Sequence, residues 1–146
     1  MTPTLIGRIQ TRIFLVAVIG SLWTLLIGPL LPRPAGAGLG DVYDGAFNAL
    51  AAVLVAGVVW ELVYHGLQQL RWEKDWPTLF GLLTGINEGI FVYVLVQRGF
   101  PYGAGDVPGS TFAVHFATTW VVLWLWVNGP MRVLFVHWRF RGGRLL

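Results

Sequence analysis

The sequence predicts an all-α membrane protein: four transmembrane helices packed as an antiparallel bundle, with both termini on the cytoplasmic side. Three observations carry this. Only 12% of the 146 residues are charged, about half the share usual in a soluble domain, while 55% are hydrophobic and the mean hydropathy is +0.66. Four apolar runs have the length of a bilayer crossing. The segments between them are short and carry Pro, Gly and charge, so residues 1–146 read as a single integral membrane domain.

The first run, residues 13–31, holds nineteen residues without a charge between Arg12 and Pro32. At about 1.5 Å per residue that length matches a hydrocarbon core of about 30 Å. The second, 45–67, carries Glu61 near its far end, the third, 78–96, carries Glu88 inside it, and the fourth, 111–131, has no charge. Lipid offers no partner to backbone N–H and C=O groups, and none of the runs alternates with the two-residue period of a barrel strand, so each is read as a helix. The basic tail, 132–146, has Leu134, Phe135 and Trp138 at helical spacing and is read as an interfacial anchor on anionic lipid. Residues 1–12 form a shorter version, with Thr2-Pro3 as a plausible helix start.

The basic residues orient the bundle. Arg8, Arg12, Arg71, Lys74, Arg132, Arg139, Arg141 and Arg144 fall on one side of the four spans, and only Arg33 and Arg98 on the other. The richer side is cytoplasmic. Trp72, Trp76 and Trp138 fall near that boundary, where amphipathic rings prefer to sit. Residues 1–37 are read as retained, because nineteen apolar residues exceed a signal peptide's core and Arg33 stands where a cleavage region is normally uncharged; cleavage after Ala35-Gly36-Ala37 is the alternative.

Apolar contact alone does not draw helices together in lipid, so small residues are informative. Gly81, Gly85 and Gly89 form overlapping G-x-x-x-G motifs along one stripe of the third span, and Gly57 belongs to a similar stripe of the second. Close helix packing is expected there.

An ionisable side chain in hydrocarbon is costly and is a functional candidate by default. Counted from the span ends at 1.5 Å per residue, Glu88 lies roughly 15 Å deep, near the midplane, and Glu61 about 6 Å above the inner edge. At 100° per residue Gly57, Glu61 and His65 share one stripe of the second helix, and Thr84 and Glu88 share one of the third. Glu61, His65, Thr84 and Glu88 are expected to line one crevice, with Thr119 and His115 of the fourth helix continuing it outward. Titratable and hydroxyl groups spaced across the bilayer are what a proton or cation path requires. The bland reading is a satisfied structural acid at Glu88 and an i,i+4 pair between Glu61 and His65.

Several chemistries are not expected. The absence of Cys removes disulfides, thiolate metal sites and thiol catalysis. His65 and His115 fall at opposite depths, which disfavours a bis-histidine haem. Zincin, P-loop and nucleophile-elbow motifs are missing, so no metal, cofactor or catalytic residue is assigned. A formal charge of +3, scattered along the chain, does not suggest a nucleic-acid surface. The reading is a small multi-pass protein of the cytoplasmic membrane, a structural or accessory subunit or a self-associating bundle. Its partners are the lipid bilayer and a second copy or a larger membrane complex. The alternative is a proton-coupled transporter or ion-conducting protein using Glu88 with Glu61 and His65. A membrane-embedded redox or lipid-modifying enzyme using the His residues has least support. Nine Arg against one Lys suggests a bacterial source rich in G and C.

Overall fold

In the computed structural model, which describes residues 4–70, 77–103 and 106–146, every regular element is helical. Four helices are long and apolar enough to cross a membrane, Leu5–Leu30, Leu39–Gln69, Thr78–Gln97 and Gly109–Leu134, which makes the chain a multi-pass membrane protein. Arg71, Trp72, Lys74, Trp76 and the Thr2-Pro3 start lie outside the described residues.

The first span departs most from expectation. Its helix begins at Leu5, not at residue 13, and Thr4 caps it by accepting the Gly7 N–H at 3.2 Å. Arg8 and Arg12 are therefore helical residues, with side chains only 16% and 10% exposed. The uncharged run did not mark where the helix starts, because an arginine enters a span readily when neighbouring spans carry its counter-charges.

Arg8, Arg12, Val16, Gly20, Thr24 and Gly28 all point inward, a spacing of four sustained through the span. On an α-helix that spacing drifts by about 40° per step. The π-helical stretch Leu15–Gly20, between α-helical Leu5–Phe14 and Ser21–Ile27, turns less per residue and offsets the drift. Arginines at one end and Thr24 at the other thus face the same interior. Gly20 admits the Leu50 side chain and Gly28 the Tyr43 ring, whose hydroxyl donates to the Leu25 carbonyl at 2.8 Å.

The glycine stripe of the third span is filled by rings. Gly81, Gly85 and Gly89 face Trp124, Trp120 and Phe116 of the fourth span, also spaced by four, and a Cβ at Gly89 would lie 2.7 Å from the Phe116 ring. Trp120 Nε1 donates to the Gly81 carbonyl at 3.2 Å and Trp124 Nε1 to the Thr78 carbonyl at 3.0 Å. Each indole thus finds a partner that lipid does not provide. Between the second and third spans Trp60 meets Phe91 edge-on, with ring centroids 5.9 Å apart.

The fourth span breaks at Gly129-Pro130, where proline has no N–H to continue the ladder, and the chain goes on as short helices Pro130–Leu134 and Val136–Phe140. The tail then folds onto the first helix. Thr4 N–H donates to the Gly142 carbonyl at 2.8 Å, Thr11 Oγ1 to the Gly143 carbonyl at 3.0 Å, and Trp138 Nε1 to Thr11 Oγ1 at 2.7 Å. Leu145 N–H reaches Gln10 Oε1 at 2.9 Å. Gly142 and Gly143 adopt positive φ of 62° and 84° to make this turn, and Gly7 lies so close beneath it that a Cβ there would strike the Gly142 carbonyl.

Candidate functional site

Arg12 connects the first span to the other three. Its Nε donates to Glu61 Oε1 at 2.9 Å, Nη1 to Glu88 Oε2 at 2.7 Å and Nη2 to Glu88 Oε1 at 2.9 Å. The last two form the bidentate fork of a guanidinium on an ionised carboxylate. Arg8 Nη1 adds a bond to Glu61 Oε2 at 3.1 Å and Nη2 one to Gln68 Oε1 at 3.0 Å. Two cations and two anions meet here, so the group is neutral as a whole, which is how charge is accommodated at membrane depth.

The surroundings are built for Arg12. A Cβ on Gly57 would overlap its guanidinium, so a larger residue there would displace the cation from this position. The Trp120 ring centroid is 5.7 Å from Arg12 Cζ, within cation–π range, and the same indole fills the hollow above Gly85. Glu88 is 1% exposed and Glu61 9%.

The six residues expected along one path divide into separate groups. Glu61 and Glu88 come together, joined by Arg12 rather than by direct contact. His65 is half-buried, one turn beyond Glu61, and its Nε2 lies 3.5 Å from Gln69 Nε2. The Thr84 hydroxyl donates to the Gly81 carbonyl at 3.0 Å in its own helix. His115 is buried at the other end, with Nε2 2.9 Å from Thr24 Oγ1. Because the Thr24 proton goes to the Gly20 carbonyl at 2.8 Å, His115 Nε2 carries the proton, and Nδ1 is left buried without a partner among the described residues.

Thr119 Oγ1 is also buried, with no partner among the described residues. Among the described residues no hydrogen bond links Thr119 or His115 to the Arg12 cluster. Ala49, Leu50, Val53, Phe116 and Leu123 crowd the gap beside them to about 10 Å³, at the lower limit for a single water. Toward the tail the packing is looser. A cavity of about 610 Å³, lined by Arg8, Arg12, Glu61, Leu123, Trp124 and Trp138 among others, opens beside the cluster.

No group of three or more His, Asp or Glu side chains is placed to hold a metal ion among the described residues. Sequence reasoning missed Arg8 and Arg12 as members of the site. Their signal was present: two membrane-embedded carboxylates need cations, and two arginines one turn apart run directly into the first span. No family model, curated protein or solved structure matches this chain.

Proposed function

We propose that the chain is an antiparallel four-span bundle of the cytoplasmic membrane, both ends inside, that works as a structural or accessory subunit through lateral association of its third span. The observation that carries this reading is Asn87. It sits nine residues above Thr78, roughly 14 Å along the helix and near mid-bilayer. Its side chain is exposed and no hydrogen-bond partner is present among the described residues. Around it lie Leu83, Ile86, Ile90 and Val94, each exposed to between 44% and 65%. An amide facing hydrocarbon is unfavourable, and intramembrane Asn characteristically bonds across to another helix.

The buried charges agree with a structural role. Arg12 spends its donors on Glu61 and Glu88, so each carboxylate is held by a cation. Extraction of the protein in mild detergent, followed by sizing, tests the association. Asn87→Leu is expected to weaken it by about 3- to 30-fold, corresponding to roughly 0.6–2 kcal/mol for an interhelical amide bond. Recovery of wild type and variant alike as lone monomers sinks the reading.

Transport through Glu88 is the second reading, favoured by the cavity that reaches Arg12 and Glu61 from one side. It requires the apolar layer around Leu50, Val53 and Leu123 to open. A proton or solute flux in liposomes that Glu88→Gln leaves unchanged excludes it.

A further inference from the structure

The cavity beside the Arg12 cluster has two chemically distinct parts. Its mouth is formed where the first helix meets the folded tail, by Arg8, Arg132 and Arg139; its wall is Leu15, Val16, Leu123, Trp124 and Val127. From Arg8 to Val16 the lining runs roughly 12 Å into the bundle. At about 610 Å³ it lies within the 300–1,000 Å³ typical of small-molecule sites.

Among the described residues the charges at the mouth are unbalanced. Glu61 and Glu88 are occupied by Arg8 and Arg12, whereas no carboxylate among the described residues pairs with Arg132 or Arg139. Arg132 Nη2 donates only to Asn128 Oδ1, at 2.9 Å, and Arg139 rests its guanidinium 5.8 Å from the Phe140 ring centroid. Two arginines that line an open cavity without a carboxylate partner among the described residues call for an anion. The apolar wall behind them calls for a hydrocarbon chain, not a small ion.

We propose that this cavity is a binding site for an anionic phospholipid, whose phosphate is held by Arg132 and Arg139 and one of whose acyl chains lies along Leu123, Trp124 and Val127. This is an internal site between helices and tail, distinct from adhesion of the tail's outer surface to a charged membrane. It faces away from Asn87: on the third helix Thr78 and Gly81, which line the cavity, are more than 100° from Asn87 by the about 100° turn per residue. Lipid occupancy and lateral association are thus separately measurable.

The test uses the full chain in zwitterionic phospholipid vesicles containing a few per cent of a bromine-labelled phospholipid, anionic or zwitterionic, with tryptophan quenching as the readout. Trp120, Trp124 and Trp138 line the cavity and report occupancy directly. The anionic lipid is expected to quench in excess and saturably. Removing each mouth arginine, in Arg132→Gln and Arg139→Gln, lowers its apparent affinity about fivefold, from the roughly 1 kcal/mol a lipid-facing arginine contributes. Val127→Phe, which fills the wall and leaves every charge in place, lowers it as well. Equal quenching by the two lipids overturns the proposal, as does excess quenching that Val127→Phe leaves intact, which marks adhesion to the tail surface. Inorganic phosphate that abolishes the excess at millimolar concentration also overturns it, because the acyl chain then contributes nothing.

Discussion

Gly57 leaves open the space that the Arg12 guanidinium occupies. A methyl group there would occupy the space of the Arg12 guanidinium, whereas at Gly66, nine residues on in the same helix, a Cβ would enter open space with nothing within 4 Å. Gly57→Ala is therefore expected to cost about 1–3 kcal/mol, the usual penalty of forcing an extra methyl into a packed site. Gly66→Ala, relieved of glycine's backbone entropy, is expected to be neutral or to stabilise by about 0.5–1 kcal/mol. Unfolding free energies of the two variants in mixed micelles check the contrast, and equal values contradict the placement. Arg12→Lys keeps the charge but replaces the two-pronged contact with Glu88 by a single ammonium, so it too is expected to destabilise.

At the scale of elements, the third and fourth spans meet through a graded ring-on-glycine seam. A Cβ at Gly81 would sit 3.8 Å from Trp124, an ordinary contact, while one at Gly85 would overlap the Trp120 indole. Gly81→Ala is expected to be tolerated and Gly85→Ala to destabilise by about 1–3 kcal/mol, as measured by the same unfolding assay. The stripe itself was legible, since glycines spaced by four leave one smooth face on a helix. What filled it was not, because the aromatic stripe Phe116, Trp120 and Trp124 reads as one more apolar face until a partner helix is known. The start of the first helix was hidden for a different reason. Absence of charge defines where a span tolerates lipid, whereas Arg8 and Arg12 are tolerated by Glu61 and Glu88, which lie 49 or more residues away in sequence. The tail's contact with the first helix was equally non-local; only the Gly142-Gly143 pair hinted at a turn. Gly7→Ala, by striking the Gly142 carbonyl, is expected to release that tail, seen as faster cleavage after Arg139 or Arg141 by added trypsin. Unchanged cleavage would count against the docked tail.

For the molecule as a whole, the charges divide by role. Arg33, Asp41, Arg98 and Asp106 lie at exposed positions near the span ends, and Arg132 and Arg139 at the cavity mouth. Arg8, Arg12, Glu61 and Glu88 are joined inside, where they tie the first span to the second and third, with Trp120 adding the fourth. That division explains why two intramembrane glutamates are compatible with a stable bundle. Removing one partner of a buried pair costs far more than removing both, because the remaining charge is left without compensation. A double-mutant cycle of Arg12→Met and Glu88→Gln, read as unfolding free energy in micelles, tests the internal charge group most directly. Each single variant is expected to lose about 3–5 kcal/mol and the double variant to lose clearly less than their sum. Single effects within about 0.5 kcal/mol of zero that simply add, as for an arginine exposed at the membrane surface, would contradict it.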